Sequence, residues 1–409
     1  MKTYNKTKKN KTKKNKTKKN KKQIVIKDTT PIINKKMKDI TESYNPSINV
    51  ALTPLKTRLS KISILFPNIE KKSENICKNR EVNVVIDGKN KCLNWRNKKV
   101  KDVMLDKLLS KSPINCKEIT APKQLSSNCW FNSFFMTMFI SDKGRKFNRY
   151  FRRIMITGKM PVRKENSEFS VEKKSIDKDL KWSFFLLNMY IEASLRGKND
   201  PQRFAELMDT NNLIGEIYNS INKKKKHFKL TEKNTAGNML EKTISVPRVD
   251  EAANPYYFYV SIINYLYNKE IQNQKIPILF INFQDIPLKG IKKDLSNKIK
   301  APHILFIEYT DENSKMKKST TFSFKNKNGE KIKYKLDSAI LRNIGGYHFS
   351  AYLTCNKKDY GFDGASFKRI EPFNWKSKIN KNIKWRFADE YPIYFNFTQG
   401  YQILIYYRI

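Results

Sequence analysis

Gln124-Leu-Ser-Ser-Asn-Cys129-Trp-Phe-Asn-Ser133 is the stretch on which the fold of this 409-residue chain turns. From Phe131 the apolar residues fall at Phe131, Phe134, Phe135, Met138 and Phe139, the i, i+3, i+4, i+7, i+8 spacing of one buried helical face. The spacing predicts a core helix running from Cys129 to Ile140. At about 100° per residue Cys129 lies opposite the centre of that stripe, so its sulfur is placed to face a cleft. Ser126, Ser127 and Asn128 are capping residue types, which sets Cys129 at the positive end of the helix, where a thiolate is favoured. A buried structural cysteine is the alternative by residue type alone.

A thiolate nucleophile needs a base, and the chain has three histidines. His227 sits in a basic run after Lys223 to Lys226, and His303 opens the apolar strand Ile304-Leu-Phe-Ile-Glu. His348 is different. In Tyr347-His-Phe-Ser-Ala-Tyr-Leu-Thr-Cys355 the period of two puts His348, Ser350, Tyr352 and Thr354 on the more polar face of a strand. Gly345-Gly346 just before it permits a tight turn or a close backbone approach. A second short strand, Tyr360-Gly-Phe-Asp363, follows and ends in a carboxylate. A hairpin with a four-residue loop from Thr354 to Lys357 sets His348 directly opposite Asp363, where the carboxylate can orient the imidazole. Asp363 also reads as a plain turn residue before Gly364.

In this order the residues resemble the ubiquitin-specific proteases, a papain-like cysteine peptidase family. Cys129, the aromatic Trp130, Asn132 and Ser133 match the family's cysteine box; His348 to Tyr352, then Phe362-Asp363, match its histidine box. The closing segment Gly400-Tyr-Gln-Ile-Leu-Ile-Tyr-Tyr-Arg408 matches its last strand. The resemblance implies Cys129 as nucleophile, His348 as base, Asp363 as its orienting group and Gln124, five positions before the cysteine, as oxyanion donor. It further implies a deubiquitinating isopeptidase or peptidase cutting after the C-terminal glycine of ubiquitin or a ubiquitin-like protein, with no cofactor. Calpain-like and papain-like relatives set their glutamine six positions ahead, and SUMO-protease-like peptidases place histidine before cysteine. Tyr347 and Ser127-Asn128 depart from the family's small residues. Zinc-binding Cys-x-x-Cys pairs are absent, since no cysteine lies between Cys129 and Cys355. Asp250-Glu251 and Glu206 are the candidates for holding the basic tail of the modifier.

Net charge is the second strong signal, at +45. Residues 1 to 22 hold twelve Lys and no acid, in a repeat of Asn-Lys-Thr-Lys-Lys, so a disordered polybasic tail is expected there. Taking those twelve from +45 leaves +33 on the remainder. Salt-sensitive nucleic-acid binding through the tail is the expected consequence. The Lys, Asn and Ile content is of the kind an AT-rich genome produces, as in giant DNA viruses. Two other readings therefore stay open: a virion-maturation-type cysteine peptidase that ignores ubiquitin, and a basic nucleic-acid-binding virion protein with an inactive peptidase fold.

No stretch of 18 or more apolar residues occurs, so no transmembrane helix is expected, and no secretory signal is evident. Five scattered cysteines suggest a reducing intracellular compartment, cytoplasm or nucleus, without a disulfide framework; Cys77, Cys92, Cys116 and Cys355 read as structural. Residues 23 to 117 read as an irregular basic extension with one small subdomain, and residues 118 to 409 as the catalytic domain. Helices are expected near 129 to 140, 184 to 195 and 256 to 267. Strands are expected at 276 to 282, 304 to 310, 321 to 324, 347 to 355 and 402 to 407. Helices followed by antiparallel strands form an α+β layout, papain-like by the resemblance, with the nucleophile on the helical part and the base on the sheet.

Overall fold

The computed structural model describes residues 62–64, 80–110, 113–122, 124, 128–163, 170–176, 178–196, 210, 213–217, 227–233, 239–245, 255–256, 262, 280–346, 348–365, 369–387 and 393–409. The tail at 1–22 and the carboxylate candidates Glu206, Asp250 and Glu251 lie outside them.

Strands β1 (Ile62–Ile64), β2 (Glu81–Ile86) and β3 (Lys89–Asn94) form a small sheet, followed by helix α1 (Lys98–Leu109). Asn97 caps α1 by accepting from the Lys99 amide, and Val100, Val103, Met104 and Leu108 form its buried face. Next come α2 (Cys129–Phe135), a π-turn at Met136–Ile140, α3 (Asp142–Phe147), α4 (Arg149–Thr157) and the long α5 (Lys178–Arg196). The helix predicted from the apolar stripe is therefore present, with its last five residues in the wider winding. It is buried on every side, a broader burial than the stripe implies. Two hairpins accompany the helices: β4 (Lys159–Arg163) with β5 (Ser170–Ser175), and β6 (His227–Lys233) with β7 (Met239–Ser245). His227 is the first residue of β6.

The second half is one eight-stranded sheet. Its strands are β8 (Phe280–Gln284), β9 (Ile304–Tyr309), β10 (Thr321–Lys325), β11 (Lys331–Arg342), β12 (Phe349–Cys355), β13 (Lys358–Phe362), β14 (Glu371–Pro372) and β15 (Gln402–Arg408). The order is β14-β13-β12-β11-β15-β9-β8, with β10 added to the free part of β11. Helix α6 (Leu288–Ser296) joins β8 to β9. That crossover makes β8 and β9 parallel, so the sheet is mixed and not wholly antiparallel. Ile340, Ala351, Leu353, Ile403 and Ile405 point to the helices, while Ala339, Leu341, Tyr352, Leu404 and Tyr406 build a second, aromatic-rich core on the opposite face. Both faces being covered explains why these strands read as nearly continuous apolar runs.

Two devices fix the helical half to the rim of the sheet. Asn356 and Lys357 form the two-residue turn between β12 and β13, with φ of 46° and 66°. Their amides donate to the two carboxylate oxygens of Asp142 at the start of α3, at 3.0 and 2.9 Å. Beside that latch a disulfide joins Cys116 to Cys355 across 239 residues. Cys92 is also disulfide-bonded. This corrects the expectation of a chain without disulfides: the partners meet only after β12 docks, and spacing along the chain carries no sign of it. Closing so long a loop restricts the unfolded chain, so Cys116→Ser is expected to lower stability by roughly 2–4 kcal/mol. The urea midpoint without reductant checks this; a midpoint unchanged from the parent would count against any stabilising role for the bridge.

Candidate active site

Cys129 opens α2, which lies against β12. Asn128 is its cap residue by position but makes no capping hydrogen bond. Its side-chain amide instead donates to Thr210 Oγ1 at 2.6 Å, and that hydroxyl donates to Asn132 Oδ1 at 3.0 Å. Asn132 donates onward to the Pro122 carbonyl at 3.5 Å. The Cys129 backbone is therefore held by a buried polar chain that ties α2 to the preceding strand-like segment. Ser126 and Ser127, the other expected caps, lie outside the described residues. Cys129 is the sole free cysteine among the described residues.

His348 sits one residue before β12 and not within it. Its amide donates to Asn343 Oδ1 at 2.8 Å, and the Asn343 amide donates back to the His348 carbonyl at 2.8 Å. That reciprocal pair closes the turn through Gly346, which adopts φ of 81°, a conformation that suits glycine. The ring nitrogen Nε2 lies 2.6 Å from Asp363 Oδ1, and the same oxygen accepts from the Ala365 amide at 2.9 Å. Cys129 is the second polar neighbour of the ring. Cys129, His348 and Asp363 are 6%, 5% and 2% exposed, so the chain of three polar groups is shielded from bulk water.

The registration differs from the predicted one. Ala351 pairs with Phe362 and Cys355 with Lys358, because the loop has two residues, Asn356 and Lys357, and not four. By that register Asp363 lies opposite Ser350, one diagonal step from His348, and not directly across from it. A slip of two keeps both side chains on the same face, so they still meet.

Electrostatics follow from this geometry. Burial alone would push the His348 ring toward its neutral form. Hydrogen bonds to Asp363 and to Cys129, with the negative charge of both partners, outweigh it and raise the pKa to about 10. The His348 ring is therefore held as an imidazolium at neutral pH.

Gln124 reaches the same place from the other side. Its amide donates to the Gly364 carbonyl at 3.3 Å, and its Cβ lies 3.4 Å from where a Cβ on Gly364 would stand. Its side-chain Oε1 is buried without a hydrogen-bond partner among the described residues. All four residues named from the sequence thus converge on one rim, where the start of α2 meets the ends of β12 and β13. The support behind them carries no mark in the sequence. Thr210 anchors Asn128 and Asn132, Asn343 fixes the His348 backbone, and Phe395 packs a ring 6.1 Å from the His348 ring. Thr210 is 78 residues from its Asn132 partner, and no local pattern singles it out.

His303 is buried under Phe147, their rings 5.8 Å apart, in keeping with a structural role. Among the described residues no group of three or more His, Cys, Asp and Glu is placed to hold a metal ion. No helix among them is long and apolar enough to cross a membrane.

No protein-family model and no curated protein matches this chain. Solved structures similar to it include the SAGA DUB module Ubp8/Sgf11/Sus1/Sgf73 bound to ubiquitin aldehyde, at 12% identity and a TM-score of 0.39, over 73% of this chain and 71% of that one. A Ubp8 variant of the same module bound to monoubiquitin is similar at 12% identity and a TM-score of 0.39, over 76% and 75%. The yeast SAGA DUB module with an Sgf73 mutant follows at 9% identity and a TM-score of 0.34, over 73% and 70%.

Proposed function

We propose that this protein is a cysteine-type peptidase of papain-like organisation that cleaves after the C-terminal glycine of ubiquitin or a ubiquitin-like modifier. The observation that carries the reading is the shielded relay from Cys129 through the His348 ring to Asp363. Nucleophile, base and orienting carboxylate in hydrogen-bond sequence are what thiol acyl transfer requires. The ubiquitin specificity rests on the cysteine-box and histidine-box residues described above.

In the proposed cycle His348 holds the proton released from the Cys129 thiol, and Sγ attacks the carbonyl carbon. The carbonyl oxygen becomes an oxyanion, stabilised by the side-chain NH₂ of Gln124 and the first backbone N–H groups of α2, where one donor contributes about 2.7–4 kcal/mol. The C–N bond breaks as the leaving amine takes the proton from His348, and a thioester remains on Cys129. Water, losing a proton to His348, then attacks the thioester and releases the carboxylate. Asp363 keeps Nε2 engaged throughout, so the other ring nitrogen faces the sulfur.

A ubiquitin probe bearing a C-terminal thiol-reactive group is expected to label the parent chain once and to leave Cys129→Ala unlabelled. Labelling of the variant, or a parent that cuts small-residue peptides while ignoring the probe, would exclude this reading.

A further inference from the structure

The hairpin of β10 and β11 extends past the point where β11 begins to pair with β15 at Tyr334. Its two faces differ sharply in chemistry. Phe322, Phe324 and Tyr334 stack on one side, with ring centroids 5.4 and 6.0 Å apart, which fixes the ribbon in place. The other side carries Ser323 opposite Lys333 and Lys325 opposite Lys331, all four exposed. Lys327 follows in the turn, and its amide donates to the Lys298 carbonyl at 3.3 Å, drawing Lys298 and Lys300 alongside.

The backbone therefore brings six lysines to one end of the sheet. Among the described residues none of the six has a carboxylate partner. Glu330, the one acid in the turn, accepts from Asn326 Nδ2 at 2.7 Å. Like charges directly opposite on a ladder destabilise it, so Lys325 against Lys331 is a cost that the isolated chain carries. Lysine on an edge strand guards against edge-to-edge pairing, which accounts for Lys325. The same reason covers Lys331, which lies before β15 begins to pair with β11. It does not account for Lys333, whose carbonyl already accepts from the Ile409 amide, or for the loop at 298 to 300.

We propose that this lysine ribbon is a docking surface for the phosphate backbone of duplex DNA. Residues alternate on one strand face about 6.6–6.8 Å apart, and each DNA strand carries a phosphate for about every 3.4 Å of helix axis, so a row of lysines meets closely spaced negative charge. A two-stranded ribbon also fits the major groove. The polar face presents hydroxyls and ammonium groups without an aromatic ring, so it lacks the stacking platforms on which single strands depend. Lysines without arginine meet phosphate as point charges and give no bidentate reading of bases, so binding is independent of sequence.

The test uses the full chain and a labelled duplex of ~24 base pairs, titrated by fluorescence anisotropy from about 50 to about 300 mM KCl. The ribbon variant carries Lys325→Gln, Lys327→Gln, Lys331→Gln and Lys333→Gln. A control carries Lys89→Gln, Lys91→Gln, Lys381→Gln and Lys384→Gln, four exposed lysines elsewhere. Residues 1 to 22 are present in both, so their contribution cancels. The slope of log K against log salt is expected to become shallower by roughly 3–4 in the ribbon variant, at about 0.9 for each phosphate no longer neutralised, and by less than about 1 in the control. Thermal melting matching the parent shows that both variants fold. An unchanged slope, an equal loss in the control, or a loss seen only with phosphatidylserine vesicles overturns the proposal.

Discussion

His348→Ala is expected to lower kcat/KM on a ubiquitin C-terminal amide by roughly 10²–10⁴, the span general acid–base catalysis contributes. Two losses combine in that figure. The thiol has no proton acceptor, because the imidazole beside Cys129 is gone. The leaving amine has no proton donor for the same reason. The substitution also leaves Asp363 Oδ1 buried without its ring partner, so some stability falls with activity. Folding and catalysis separate by measuring burst amplitude with a ubiquitin thiol probe on the folded fraction. A variant that keeps parental kcat/KM would remove His348 from the chemistry.

Most of this site can be read from the chain because its parts obey short-range rules. The apolar stripe after Cys129 fixes where α2 runs, and the alternation around His348 fixes which residues share its face. The hairpin loop is legible only in kind: Asn356-Lys357 closes a two-residue turn through left-handed φ values that the composition does not single out. The difference in loop length is even, so it moves the partners along the strands without turning either to the opposite face.

What spacing cannot reveal is non-local. β11 contains Lys331-Ile-Lys-Tyr-Lys-Leu336, whose lysines resemble a solvated run, yet the strand sits in the sheet interior because its alternate residues pack on both cores. The parallel pairing of β8 depends on α6 crossing over the sheet. Cys116 and Cys355 are brought together only by the docking of one half on the other, and Asn128 meets Thr210 only through packing across 82 residues within the helical half. A sequence read in windows sees the elements and not the encounter.

Asp363 offers the sharper test, since two substitutions separate its orientation of the ring from its charge. Asp363→Ala removes the acceptor for Nε2, leaving the imidazole free to rotate away from Cys129, and a loss of about 10²–10⁴ in kcat/KM, the span of general acid–base catalysis, is expected. Asp363→Asn keeps an oxygen that can accept from both Nε2 and the Ala365 amide, so less activity is lost while the negative charge disappears. Its signature is in pH. In the parent, burial lowers the His348 pKa, but Asp363 and Cys129 together raise it to about 10, above the about 6.5 of an exposed imidazole. A folded pKa raised in this way contributes stability that is complete below about pH 6.5 and fades as pH climbs through about 10. The parent should therefore hold its rate across neutral and mildly alkaline pH and decline near pH 10, whereas the Asn variant should decline earlier. The melting-temperature gap between them should be widest below pH 6.5 and close toward pH 10. Coincident alkaline limbs in the two proteins would mean that Asp363 does not set the charge state of the ring, and the relay would lose its third member.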